Sequence, residues 1–416
     1  MSVGRNRVSR IRVSVEPNGS LGVDRTGTIG NFGDVRTMPM AMPAKAKEIL
    51  NDDRVIVRAW EQPLRLFGFR KGPNLEVKGH LTSTGQTLDA STAPVQTTLN
   101  KILGQMGTYY SHASGGSLVA SGASTTGVTV TAAQGARFLP GTIGWMETAS
   151  GSGLYQPFKV KTRSTDAITF AIALSFTPAV GAKVLNSQMV HAGDDPLTYL
   201  QWLIESEMRN DIHLAVGCSG PLKIEWTLGQ LAQWSTTQRV AKWMYDSEIA
   251  TAQGGAAIGA TTAVSYDGGT PVPVTAGGIV LTTAAATTRT LPTIDKFEID
   301  FGLTFVEIGS FNGTEGLGDY KMVRGPATCA VELPYETTVY ELARDASTKY
   351  QLLAQAGNTP GKQIAIECPT IQITDVKKVD RNGLDYQRVE FLLLEDDNAT
   401  DTTTELRRAP WRLAFG

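Results

Sequence analysis

Lys296-Phe297-Glu298-Ile299-Asp300-Phe301-Gly302-Leu303-Thr304-Phe305 alternates apolar and polar residues over ten positions. A two-residue period puts Phe297, Ile299, Phe301, Leu303 and Phe305 on one side of a strand. Lys296, Glu298, Asp300 and Thr304 fall on the other. One side is expected to form a core face and the other to stay wet, as in an antiparallel sheet with a single covered face. The same period recurs at Leu75-Glu76-Val77-Lys78-Gly79-His80 and at Leu222-Lys223-Ile224-Glu225-Trp226-Thr227. The 416 residues include 43 glycines and only 19% charged residues, which favours strands and tight turns over long helices. The expected class is mainly β with a few helices.

Charge and special residues exclude several functions. Lys+Arg 38 against Asp+Glu 40 gives a net charge of -2, the wrong balance for a nucleic-acid binder that works through a positive field. No apolar run approaches the ~18 residues of a membrane span, so no membrane insertion is expected. Cys218, Cys329 and Cys368 are odd in number and far apart, which removes a disulfide framework and a CxxC-type metal cluster. They read as buried small hydrophobes in a reducing compartment. The start, Met1 to Arg7, lacks the apolar stretch of a secretory signal and reads as an arm or edge strand.

No constellation for chemistry emerges. None of His80, His112, His191 and His213 has a second histidine at metal-ligand spacing. His191 with Asp194-Asp195 comes nearest, and reads as a solvated hinge. Gly27-Thr28-Ile29-Gly30-Asn31-Phe32-Gly33 lacks the GxGxxG spacing, and Gly313-Thr314-Glu315-Gly316 is acidic, the wrong sign for phosphate. Glu395-Asp396-Asp397 lacks the spaced ligands of a calcium loop. The expectation is a protein without catalytic residues, cofactor or metal.

Composition divides the chain. Residues 1–117 and 189–250 form one β unit, with helices expected at Ala44 to Leu50 and Ala93 to Gly107. Gly115 to Gly122 reads as a Gly/Ser linker. Residues 118–188, with short strands and evenly spaced turns, read as an inserted small β-barrel. The Ala/Gly/Thr-rich 251–290 reads as a linker with one or two weak strands. Residues 291–416 form a second unit, with a helix expected from Thr338 to Gln355.

The two units share an order of elements. Arg70-Lys71-Gly72-Pro73 precedes strand Leu75 to Leu81 and a helix, as Arg324-Gly325-Pro326 precedes Thr328 to Leu333 and a helix. Ile212-His213-Leu214-Ala215-Val216-Gly217-Cys218 parallels Ile364-Ala365-Ile366-Glu367-Cys368, and a strand and a last return follow in each case. This pattern indicates an internal duplication.

The closing third adds Gly309-Ser310-Phe311-Asn312-Gly313-Thr314-Glu315-Gly316 after the alternating strand, then Val379-Asp380-Arg381-Asn382-Gly383-Leu384, and ends in Arg407-Arg408-Ala409-Pro410-Trp411-Arg412-Leu413-Ala414-Phe415-Gly416. Over roughly 60–110 and 190–416 this order resembles the two-domain tail tube proteins of long-tailed, siphovirus-like bacteriophages. The resemblance implies two tandem tail-tube-like β-sandwich or barrel domains, with the 118–188 barrel as a departure from the family pattern; a module of that bulk would not share a bore with DNA, so it is expected to project outward and its deletion to leave tubes intact. It implies a virion protein, assembled in the host cytoplasm, whose rings stack into a conduit for DNA that passes without specific contact. A trimer with pseudo-sixfold symmetry follows from two domains per chain. The implied partners are further copies of itself and the tape measure, terminator and distal tail proteins. Lys296, Glu298 and Asp300 would face the lumen, where the carboxylates repel phosphate. Long loops around 24–53 and 307–323, with Phe311, Asn312, Glu315 and Asp319, would join successive rings. Another tail component of the same fold and an all-β adhesin are the alternatives.

Overall fold

Backbone ladders organise the chain, and in the computed structural model twelve strands join one antiparallel sheet. The structure describes residues 8–16, 32–40, 48–50, 54–57, 60–63, 67–69, 74–86, 91, 97–110, 112, 114–193, 199–206, 212–240, 242–245, 266, 268–275, 277–284, 286–314, 317–335, 338–381, 383–396 and 405–416. The main path runs Leu75–His80, Gln233–Gln238, Leu222–Thr227, Lys296–Asp300, Thr328–Pro334, Leu384–Leu394, Lys362–Arg381, Arg412–Phe415, Gln188–His191 and Thr108–Tyr110. Lys349–Thr359 pairs with Lys362–Arg381 off this path, and Gly277–Thr283 pairs with Lys349–Thr359. A separate five-stranded sheet orders Gly33–Asp34, Val8–Val15, Leu200–Ser206, Ile212–Cys218 and Lys242–Tyr245.

These ladders trace one topology twice. In the first copy Val8–Val15 pairs with Leu200–Ser206, which pairs with Ile212–Cys218. In the second, Gly277–Thr283 pairs with Lys349–Thr359, which pairs with Lys362–Arg381. Leu200 faces Cys218 beside a register shift, and Leu352 faces Cys368 beside another. Beyond the cysteine each strand continues, as Leu222–Thr227 or as the far part of Lys362–Arg381. There it meets a return strand, Gln233–Gln238 or Leu384–Leu394. Each return strand pairs in turn with the strand that follows the basic-Gly-Pro sequence, Leu75–His80 or Thr328–Pro334. Each copy also carries a hairpin before that sequence. Glu48–Leu50 with Phe67–Phe69 and Arg54–Val57 with Trp60–Pro63 are nested in the first, and Leu303–Thr314 pairs with Leu317–Arg324 in the second.

The repeats meet where Leu222–Thr227 pairs with Lys296–Asp300. Beneath that ladder Trp226 and Phe297 pack edge to face with ring centroids 5.6 Å apart, both fully buried. A single core continues through both repeats, from Val77 and Trp202 to Phe297, Phe391 and Trp411. Phe297, Ile299 and Phe301 belong to it, as the alternation requires. The side chain of Phe305 lies outside the described residues.

The insertion enters the first repeat between its helix, Thr98–Leu103, and Leu200–Ser206. It is a closed six-stranded barrel, ordered Gly127–Val130, Ala167–Phe170, Tyr155–Ser164, Ile143–Glu147, Lys183–Asn186 and Gly116–Ser124. Its own core holds Phe138, Phe158, Val160 and Phe170. It is no free appendage. Ile143, Trp145, Tyr155 and Leu185 pack on Ala365, Leu406 and Ala414, and Ile172 packs on Val280 and Leu353. Lys159 of the barrel reaches Glu367 at 3.1 Å and also pairs with Asp396. Arg412, fully buried, holds the same two carboxylates at 2.5 and 3.3 Å and donates to the Leu406 carbonyl at 2.7 Å. Two cations and two carboxylates thereby neutralise one another in the seam.

Several expectations need correction. Gly115 to Gly122 is no linker: Gly116–Ser124 is a barrel strand, paired on both edges, where small residues let backbones approach. The 251–290 linker contains Gly277–Thr283, the first strand of the second repeat. The helix expected from Thr338 to Gln355 is Val339–Asp345. Ser347, with φ +54, ends that run, and Lys349–Thr359 is a strand buried on both faces, where a continuous apolar run loses its period. Of the helix expected at Ala44 to Leu50, Glu48–Leu50 is a strand and 44–47 lies outside the described residues. Of the helix expected from Ala93 to Gly107, Thr98–Leu103 is helical, 104–107 is not, and 93–96 lies outside the described residues.

The seam makes the barrel part of the fold, so deleting 118–188 would uncover Val280, Leu353, Ala365 and Ala414. Lys159→Met removes one of the two cations that buried Glu367 and Asp396 share and is expected to cost about 3 kcal/mol. Exposed Lys161→Met is expected to cost less than about 0.5 kcal/mol. Urea unfolding of both variants checks the contrast.

Candidate functional site

The side of the central sheet opposite the core carries a lattice of charged side chains. Register fixes which side chains share it. One row across the strands reads His80, Gln233, Glu225, Glu298, Ala330, Glu390 and Asp375. The next reads Thr227, Lys296, Glu332, Arg388 and Lys377. A third reads Lys78, Ser235, Lys223, Asp300, Thr328, Leu392 and Gln372. Lys296, Glu298 and Asp300 therefore do stand together on one face, opposite Phe297 and Ile299.

Ion pairs knit these rows together. Lys296 reaches Glu298 at 2.5 Å and Glu225 at 3.0 Å, and Lys223 reaches Asp300 at 2.8 Å. Arg388 is the hub, contacting Glu298 at 2.6 Å, Glu332 at 2.9 Å and Glu390 at 3.3 Å. Lys377 continues the lattice to Glu390 at 3.0 Å and Asp375 at 3.3 Å. Partial burial works against ionising Glu298, but hydrogen bonds from Arg388 and Lys296 outweigh it and hold the carboxyl below its usual range. Burial likewise lowers Arg388 and Lys296, and their carboxylate partners more than restore them, so both end above their ordinary values.

Small side chains leave the middle of this face open. A groove of about 460 Å³ runs over Ser235, Ala330 and Thr328, walled by Lys223, Glu225, Asp300 and Arg388. Its walls offer acids and bases already paired to one another, with no histidine or cysteine side chain exposed on its floor. Such a surface pairs most of its charge locally and leaves only an acidic excess. It suits contact without adhesion.

The other expected site residues fare differently. Phe311 and Asn312 lie in strand Leu303–Thr314 and Asp319 in Leu317–Arg324, so the expected loop is a hairpin. Glu315 lies outside the described residues, as do 24–31, 41–47 and 51–53 of the other expected loop. At the base of this hairpin Val306, Ile308 and Val323 are exposed. His191 is no solvated hinge: it is buried in a strand, with Nδ1 2.7 Å from the Ala192 carbonyl. Asp194 and Asp195 lie outside the described residues. All three cysteines are buried and free, and no group of three metal-ligating side chains occurs among the described residues. Sequence reading missed the hub, Arg388, two of whose three partners lie 56 and 90 positions away.

Arg388→Met would leave Glu298, Glu332 and Glu390 facing one another without their shared cation. At pH 7 this is expected to cost ~1 kcal/mol, discounted for solvent screening. Glu298 has a lowered folded pKa, so its contribution is full above the unfolded value and fades as pH falls through the folded one. The deficit of the variant should therefore shrink below about pH 4.5, where carboxyls protonate. Thermal unfolding from pH 7 to pH 3.5 checks both the cost and its sign.

A scan against known protein-family models finds no match to this chain, and a search of curated protein sequences finds no relative.

Proposed function

We propose that this protein is the structural subunit of a bacteriophage tail tube, and that its activity is self-association into stacked rings around a water-lined bore. One observation carries the reading: two repeats of one topology share a sheet with an apolar inner side and an ion-paired wet side. A bore for DNA needs walls that neither bind phosphate nor collect a layer of fixed cations. Among the described residues, six cations, Lys78, Lys223, Lys296, Lys377, Arg381 and Arg388, meet eight carboxylates, Glu76, Glu225, Asp295, Glu298, Asp300, Glu332, Asp375 and Glu390, on this side. The excess is negative, and most of the cations are occupied by carboxylates.

In this reading the barrel sits away from the bore, on the strands 277–283, 349–359 and 412–415 that support it. The hairpins before the two basic-Gly-Pro sequences are the elements that reach toward neighbouring rings. The tape measure, terminator and distal tail proteins are its expected partners in the virion, with assembly in the host cytoplasm. No residue is assigned to catalysis or to a cofactor.

Negative-stain microscopy of the purified protein is expected to show rings or tubes with a central hole. Native mass measurement of an isolated ring should give three chains. Compact monomers at high concentration, or six chains in a ring, would contradict the reading.

A further inference from the structure

The chain already builds one junction between repeats. Leu222–Thr227 of the first repeat gives its outer edge to Lys296–Asp300 of the second, with Ile224 facing Ile299 and Lys223 facing Asp300. The counterpart of Leu222–Thr227 is the far part of Lys362–Arg381, because each continues the strand bearing the cysteine and each is covered on its other side by a return strand. From Ile373 to Arg381, that part pairs with Leu384–Leu394 and with no other strand among the described residues. A long edge with unpaired backbone groups is a template for a further strand.

The other half of the junction is also present in duplicate. Lys296–Asp300 lies against Thr328–Pro334, the strand that follows a basic-Gly-Pro sequence. In the first repeat the 36–40 segment occupies that place. Thr37 bridges Gly79, and the Met38 N–H donates to the Lys78 carbonyl at 2.8 Å. The chain therefore holds a second donor rim at 373–381 and a second acceptor rim at 36–40, which flank the ladders from Leu75–His80 to Leu384–Leu394 on their two sides. One chain cannot bring them together.

We propose that residues 373–381 of one copy pair, antiparallel, with the 36–40 segment of a second copy, repeating between chains the junction already made within one. This deepens the ring reading above and rests on it for closure of the circle. Carrying the Ile224–Ile299 register across the repeat sets Lys377 opposite Met38.

The helices supply an independent sign of the same surface. Thr98–Leu103 buries Leu99, Ile102 and Leu103, and Met106 just beyond it shares a cavity wall with Phe301 and Leu303 of the second repeat. Val339–Asp345 packs on Lys362–Arg381 but buries only Ala343. Leu342 stands 65% exposed, and Leu384, at the turn that ends the open rim, stands 63% exposed. A second copy seated on the rim would cover this end of the second repeat, as the second repeat covers that of the first.

The test is a disulfide trap in the full chain, with Met38→Cys and Lys377→Cys combined. The native thiols are buried and do not compete. Mild oxidation should convert assembled double variant into covalently closed trimers, seen without reductant, while each single variant stays uncrosslinked. Leu342→Asp, an exposed change that leaves the monomer folded, should weaken association at least tenfold. Rings in the microscope without crosslinking, although the thiol introduced at position 377 accepts a maleimide in the monomer, would overturn the rim assignment and leave the tube reading standing. Open crosslinked chains with no annulus would uphold the rims and sink the tube. Neither assembly nor crosslink at high concentration would sink both.

Discussion

The ladder between Leu222–Thr227 and Lys296–Asp300 is the constraint on which the rest depends. It fixes two repeats in one sheet, so their apolar sides must share a core and their polar sides must form one surface. Trp226 against Phe297 fills the space below the ladder, and Lys296 against Glu225 ties the rows above it. A one-residue slip would turn Phe297 to water and Glu298 into the core. Burial on one side and ion pairing on the other therefore enforce the same register.

The polar surface and the barrel show two uses of charge. On the open face, ion pairs are partly solvated and contribute little stability each. Their effect is to satisfy charge locally, so that the surface presents no continuous field. In the seam under the barrel, Lys159, Glu367, Asp396 and Arg412 are buried, and each depends on the others. There the network fixes where the barrel sits, because misplacing it would strand charges in a dry interface.

Legibility from sequence followed the local period. The alternation at 296–301 revealed its own burial, and the basic-Gly-Pro sequences and cysteine-bearing strands revealed the repeat. Gly277–Thr283 was legible only as a weak strand within a linker, because its Gly/Thr composition matches one and only its partner, Lys349–Thr359, makes it the first strand of the second repeat. That partner was hidden in turn, since burial on both faces erases a two-residue period and Tyr350-Gln351-Leu352-Leu353-Ala354 has helix-forming composition. Lys296, Glu298 and Asp300 were legible as one face. Arg388 was not, because contacts across neighbouring strands depend on register and carry no signal in spacing.

The measurement that bears most directly on this account is the rotational symmetry of end-on images of assembled particles. Two similar but unequal repeats per chain, one of them interrupted by a barrel, should give a strong sixfold component modulated by a threefold one. A purely sixfold annulus, or particles with no annulus at all, would contradict it.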